Sequence, residues 1–251
     1  MLDLNVIYEG DCLEVMKIFP DKSIDMILCD LPYGVTARNK WDVIIPFEPL
    51  WKQYKRIIKS NGAIVLTSSE PFTSMLINSN LEMFRYDLIW EKSSPVGFLN
   101  ANRMPLRSHE NIVVFYSKLP LYNIQKTVGH ARKVSTSAHG RNSKKTDNYG
   151  DYGRVSYDST ERYPTSILNF STDKQKIALH PTQKPVALFE YLIKTYTNEN
   201  DIVLDNCVGS GTTGIACQNL NRNFILIDKD PHWCDVSYQR LMENRDRLSN
   251  A

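Results

Sequence analysis

A chain of 251 residues buries a full core, and one α/β domain with a single insertion accounts for it without a second enzyme domain. The formal charge of +2 decides little because it is unevenly placed: Lys118 to Lys176 holds eleven Lys or Arg against five Asp or Glu, which leaves the rest of the chain acidic. Five cysteines (Cys12, Cys29, Cys207, Cys217, Cys234) without a Cys-x-x-Cys pair argue against a disulfide framework and a metal site, and neither a signal peptide nor a long apolar run is present, so a cytoplasmic chain outside the membrane is expected.

Asn5 to Glu9 reads as a first strand, closed by Gly10-Asp11-Cys12 and followed by Leu13, Val15, Met16, Ile18 and Phe19 at helical spacing. Asp11 suits a helix cap. Ile24 to Cys29 is the apolar run of a buried parallel strand, and it opens without a break into Asp30-Leu31-Pro32-Tyr33-Gly34. Ligands of such sheets sit beyond the carboxyl ends of the strands, so a carboxylate, a rigid proline and an aromatic ring are displayed where these folds do chemistry. That set suits a planar substrate with an exocyclic amine. The amine lone pair is delocalised into the ring, so acceptors must draw on its protons: Asp30 takes one, the Leu31 carbonyl the other, and Tyr33 stacks on the ring. Pro32 restricts Leu31 to an extended conformation and so aims its carbonyl. Taken alone, the same five residues also read as an ordinary turn after a strand.

Val35 to Pro46 is a loop carrying Arg38, Asn39, Lys40, Trp41 and Asp42, which suits phosphate contact or a cap whose Trp41 plugs the core. Phe47 to Ser60 is an amphipathic helix, Ala63 to Thr67 a buried strand and Pro71 to Ile77 a helix, an alternation that favours a doubly wound sheet. Phe84 to Trp90 and Glu110 to Tyr116 are strands with no helix between them, so an antiparallel pair is expected. The polar stretch joining them holds Arg103 and Arg107. Periodicity vanishes from Leu119 to about Ala178, where Arg132, Lys133, Arg141, Lys144 and Lys145 are interleaved with tyrosines. Such a segment suits phosphate and base contact, and a solvated insertion has the same composition. Val186 to Tyr196 is a helix behind Pro185, and Asp201 to Asp205 the next strand. Gly209, Ser210 and Gly211 then let backbone approach a ligand at a helix N-terminus. Asn223 to Asp228 is a strand whose terminal acid lies about twenty residues past the glycines, where it suits a ribose. Pro231 to Leu248 closes the chain as an amphipathic helix.

Two motifs stand far apart, Asp30-Leu31-Pro32-Tyr33 and Asp205-Asn206-Cys207-Val208-Gly209-Ser210-Gly211-Thr212-Thr213. Together they remove the reading as an ordinary turn, because the chain then resembles the S-adenosylmethionine-dependent DNA amino-methyltransferases of the permuted beta class. The family pattern is Asp-Pro-Pro-Tyr, then Asp-Pro-Phe-x-Gly-Ser-Gly-Thr-Thr. Leu31 departs little, since its carbonyl is what serves, whereas Cys207 replaces a ring that packs near the cofactor.

The resemblance implies a Rossmann-like, seven-stranded, doubly wound α/β methyltransferase sheet with circularly permuted motif order and the cofactor and catalytic strands adjacent at its centre. Residues 1–118 would be the catalytic part, 119–178 a target-recognition insertion and 179–251 the cofactor part. S-adenosylmethionine would meet Asp11 and Cys12 at its adenine, Asp228 at its ribose, Thr182 and Lys184 at its methionine end, and Asp30, Asp205, Cys207 and Gly209 to Thr212 between them. Lys40, Arg103, Arg107, Arg132, Lys133, Arg141, Lys144 and Lys145 would contact double-stranded DNA. The reaction implied is methyl transfer to the N6 amine of a flipped adenine, with N4 of cytosine as the alternative. A cognate restriction endonuclease is a partner the resemblance allows, and the protein would be a monomer or homodimer. A dinucleotide oxidoreductase would explain the glycines and Asp228 but gives Asp30 to Tyr33 no role. An inactive DNA-binding module leaves the same turn unexplained.

Overall fold

The computed structural model describes residues 2–35, 42–135, 156–171 and 183–250. Its first elements are β1 (Val6–Glu9), α1 (Cys12–Val15), β2 (Ile24–Asp30), α2 (Phe47–Ile57), β3 (Ile58–Ser68), α3 (Phe72–Ser79), β4 (Phe84–Val96) and β5 (Arg107–Phe115). There follow β6 (Lys133–Ser135), β7 (Tyr157–Ser159), β8 (Ile167–Phe170), α4 (Val186–Tyr196), β9 (Ile202–Asp205), α5 (Thr212–Asn219), β10 (Asn223–Asp228) and α6 (Pro231–Ser249).

Residues 2–123 and 166–250 form one unit around an eight-stranded sheet of order β1-β10-β9-β2-β3-β5-β4-β8. From β1 to β3 every neighbour is parallel; β5 runs antiparallel to β3 and β4 antiparallel to β5, the expected hairpin. Strands β2 and β9, which carry the two distant motifs, lie side by side at the centre as expected, with Met26 opposite Val203 and Ile27 opposite Leu204. Strand β2 shows why its sequence is a nearly continuous apolar run: alternate residues point to opposite faces, and both faces are covered. Ile24, Ile27 and Cys29 join a core with Leu50, Tyr54 and Phe72 from α2 and α3, while Met26 and Leu28 join one with Leu188, Leu192 and Ile215 from α4 and α5.

Two expectations are corrected. Among the described residues the sheet has eight strands rather than seven, because β8 lies inside the segment that lacks periodicity and pairs parallel with β4. Four residues with one buried side chain, Leu168, are too short to register as a strand pattern. The second correction is at the end of α2, which stops at Ile57 rather than Ser60, so that β3 begins at once and runs through Asn61-Gly62. Gly62 is required there by proximity: a Cβ would lie 2.6 Å from the Asp25 carbonyl oxygen of the neighbouring strand.

Residues 124–165 form a second, smaller unit. Among its described residues β6 and β7 pair antiparallel, with Lys133 opposite Ser159, and Thr127 bridges Arg162.

Candidate active site

Because β2, β9 and β10 are parallel and adjacent, their terminal residues Asp30, Asp205 and Asp228 emerge on one side of the sheet. All three line one cavity of about 480 Å³, together with Gly10 to Cys12, Leu31 to Tyr33, Lys184 and the loop from Asn206 to Ser210. The two distant motifs therefore share one site.

Among the described residues Asp30 is held by side chains. Its Oδ2 accepts from Lys184 Nζ at 2.6 Å, and its Oδ1 accepts from the Tyr33 hydroxyl at 2.7 Å and from the Thr67 hydroxyl. Thr67 reaches it because it stands opposite Asp30 in the β2–β3 register. Lys184 Nζ lies 3.3 Å from Glu110 Oε2, and Glu110 Oε1 lies 2.5 Å from Lys92 Nζ, so four charges alternate in sign from Asp30 inward. Burial alone would depress the Lys184 ammonium, but Asp30 and Glu110 more than offset it and hold its pKa above the usual lysine value. Burial likewise opposes ionisation of Glu110, yet Lys184 and Lys92 hold it below the ordinary carboxylate range. Burial, then the negative charges of Asp30 and Glu110, keep the Tyr33 phenol far above its usual pKa, so it acts as a neutral donor. The Tyr33 ring stacks on Phe72 at 5.2 Å between centroids, and Lys184 Nζ stands 5.5 Å from its centre. Such a network fixes the direction of the Asp30 carboxylate before any ligand arrives.

The acids of the cofactor loop are held differently, by backbone. Asp205 is buried; its Oδ1 accepts from Cys207 N at 3.0 Å and its Oδ2 from the Thr213 hydroxyl. Burial pushes its carboxyl up to about 6, with the bonds from Thr213 and Cys207 pulling the other way. Asp228 Oδ2 accepts from Gly209 N at 2.9 Å and its Oδ1 from Asp230 N at 3.0 Å. Gly211 sits at φ +82°, where a Cβ would also come 3.1 Å from Ser237 Oγ, so only glycine closes this turn without strain. Arg240 and Ser237 of α6 brace the turn by donating to the Ser210 and Gly209 carbonyls, at 2.8 and 2.7 Å. Asp11 caps α1, its Oδ1 accepting from Leu13 N at 2.8 Å and Glu14 N at 3.3 Å, and it lines the cavity as well. Asn206 accepts from the buried Tyr54 hydroxyl at 2.5 Å. Cys207, in the place of the family's ring, packs against the core formed by α2 and α3, which also contains Cys12 and Cys29. Burial pushes the Cys29 thiol up to about 12, so it serves as apolar packing.

The cavity fits an adenosyl ligand with a methionine tail on three grounds. It has acceptors at Asp11 and Asp228, Gly209 at φ +52° leaves open space where a Cβ would stand, and Gln183 offers a buried Oε1 without a hydrogen-bond partner among the described residues. Lys184, expected at the methionine end, lines the cavity with its ammonium on Asp30 and Glu110. Thr182 lies outside the described residues, as do Lys40, Arg141, Lys144 and Lys145. Of the basic residues expected on DNA, Arg107 donates to Ser69 Oγ at the edge of the cavity, Arg103 is exposed, Arg132 pairs with Asp158, and Lys133 is exposed on β6. Sequence reasoning missed Thr67 and the inward-facing pairing of Glu110 with Lys92 and Lys184; the available signal was a polar residue at the end of each apolar strand.

A family model described as DNA methylase, covering the N6 and N4 amino-methylating enzymes, matches residues 24–239. The Type II methyltransferase M.HinfI of Haemophilus influenzae is 31% identical over 96% of this chain and 69% of its own length. The Type II methyltransferase M.BglII of Bacillus subtilis is 28% identical over 98% of this chain and 71% of its own. Among solved structures, the M1.HpyAVI–SAM complex superposes with a TM-score of 0.62 at 26% identity, covering 94% of this chain and 99% of that one. PvuII DNA methyltransferase, described as cytosine-N4-specific, gives 0.66 at 16% identity over 97% of this chain and 92% of that one, a likeness of fold alone. The chain belongs to the family of S-adenosylmethionine-dependent, site-specific DNA amino-methyltransferases.

Proposed function

We propose that the protein methylates the N6 amine of adenine in double-stranded DNA, on a base turned out of the stack toward Asp30. The observation that carries this reading is the Asp30 carboxylate, aimed by Lys184, Tyr33 and Thr67 at the carboxyl end of the central strand. A carboxylate oxygen has two lone pairs, so Oδ2 can keep Lys184 and still accept an amine proton. The Leu31 carbonyl accepts a hydrogen bond from the second amine proton, and Tyr33 supplies an aromatic face. Drawing on both protons restores nucleophilic character to the nitrogen, and fixed acceptors do so without reorganisation during the reaction. Asp11 and Cys12 would hold the cofactor's adenine, Asp228 its ribose, and Asp205, Cys207, Gly209 to Thr212, Thr182 and Lys184 the remainder. When bound, S-adenosylmethionine supplies an electrophilic methyl group on its sulfonium. Lys40, Arg103, Arg107, Arg132, Lys133, Arg141, Lys144 and Lys145 would neutralise phosphates.

Adenine is preferred over cytosine because Asp stands first in the catalytic motif, where permuted enzymes of this kind that act on cytosine often carry Ser. Nucleoside analysis of DNA from cells expressing the wild-type protein and Asp30→Asn tests both parts. The expected result is N6-methyladenine with the wild type, a fall of about 10²- to 10⁴-fold in the variant, and cofactor affinity close to normal. N4-methylcytosine in its place overturns the base assignment, and equal methylation by both proteins removes Asp30 from the reaction.

A further inference from the structure

The hairpin of β4 and β5 continues past the last core residue and ends, beyond the Val96–Arg107 pair, in a tip whose residues 97–106 are all exposed. The tip is nonetheless built. Gly97 at φ +96° opens a 3₁₀ turn over Phe98–Asn100, Asn100 N and Ala101 N bond back to the Gly97 and Phe98 carbonyls, and Arg103 N and Met104 N both bond to the Asn100 carbonyl at 2.8 and 3.0 Å. A turn whose backbone is satisfied internally holds its side chains in fixed directions, and this one exposes Phe98 at 77%, Leu99 at 84% and Met104 at 59%. Apolar residues so displayed on an ordered element mark an interaction surface.

Its location and charge identify the partner. Ser94, Pro95, Val96 and Arg107 at the foot of the hairpin line the same cavity as Asp30 and Tyr33, so the tip stands beside the mouth that a target base must enter. From Lys92 to His109 the chain contains no carboxylate, while Arg103 is exposed within the tip and Arg107 at its foot. In a two-fold contact with a second copy such a tip would meet like charge, whereas a duplex offers phosphates to the arginines and stacked bases to the apolar side chains.

We propose that Phe98 and Leu99 form a wedge that enters the duplex at the target and occupies the space a base leaves when it turns into the cavity, with Arg103 on a flanking phosphate. The proposal rests on the reading that the substrate is a base extruded from double-stranded DNA. Extrusion costs unpairing and unstacking, and a group that fills the vacated space offsets that cost. The wedge should therefore matter only where the target is paired.

The test is methyl transfer by wild type and by Phe98→Ser/Leu99→Ser to two synthetic duplexes. Both carry a sequence that the wild type modifies in unmethylated plasmid DNA, one fully paired and one with an abasic position opposite the target. The double variant is expected to lose about tenfold or more on the paired duplex and to recover most of that on the abasic one. Cofactor affinity and sedimentation should be unchanged, and Phe98→Trp should keep activity on both. An undiminished variant on paired DNA, or an equal loss on both duplexes, overturns the wedge. A loss accompanied by dissociation of a wild-type dimer overturns it in favour of self-association. If the wild type transfers no methyl to DNA, the methylation reading falls and the wedge with it, which separates that failure from a failure of the wedge alone.

Discussion

The three strand-end acids of the site sit within one cavity but are held by opposite means. Asp205 and Asp228 take backbone N–H donors from residues two or nineteen positions distant, and Asp205 takes side-chain bonds from Thr213 and Cys29 as well. Among the described residues Asp30 takes side chains alone, from Tyr33, Thr67 and Lys184, the last 154 positions away. The glycine-loop end is thus a largely locally encoded turn braced by α6, and the Asp30 end exists only when the whole sheet is assembled. Damage at the first should stay local, and damage at the second should spread through the buried charges.

The largest test of that contrast is Lys184→Met. It leaves Asp30 and Glu110 facing one another with Lys92 as the remaining cation, and loss of one partner from a buried ion pair costs about 3–5 kcal/mol. Thermal unfolding should show that loss, and turnover should fall at least as far as in Asp30→Asn; a variant with unchanged melting and activity would break the comparison outright. Next comes Asp228→Ala. Removing a charge-assisted acceptor costs about 1.5–3 kcal/mol, or roughly 10- to 150-fold in cofactor affinity by calorimetry. DNA affinity should not change, and if it does, the cofactor turn is not local. The smallest effect is Asp205→Asn. The folded carboxyl titrates near 6, above its unfolded value of 3.8, so as pH rises through that interval the native state gives up its proton later than the unfolded chain and is progressively destabilised. The asparagine variant lacks this term, so its stability relative to wild type should grow from pH 4 to 6 and then level off, by no more than about 3 kcal/mol. A pH-independent difference would show that burial does not govern Asp205.

The same contrast explains what was legible in the sequence. The run Ile24 to Cys29 with Asp30 to Tyr33 after it, and the glycines from Gly209 to Gly211, are local chemistry: buried strands are apolar, and a turn that must adopt positive φ or approach a neighbour requires glycine. Their meeting at one cavity followed from motif order and family resemblance. What a linear pattern does not carry is register. Thr67 belongs to the site only because it stands opposite Asp30, and Glu110 only because its strand turns that face toward Lys184 and Lys92. Lys184 was visible as a site residue, but its attachment to Asp30 was not, since nothing near either residue in the chain announces a partner so remote. Strand β8 escaped because four residues with one buried side chain leave no periodicity to detect.

The sheet order also sets a timetable for synthesis. Strand β2 finds one neighbour in β3 soon after it is made, but its other edge waits for β9, whose last residue is Asp205. At about 5–20 residues per second the interval from Asp30 to Asp205 is roughly 10–35 s, and throughout it the apolar edge of Met26 and Ile27 has no partner. The strand that ends in Asp30 is therefore half-paired and open to wrong pairing on the ribosome until β9 is made. Slowing or interrupting translation before residue 202 should thus lower the yield of folded protein more than an interruption of the same length after it.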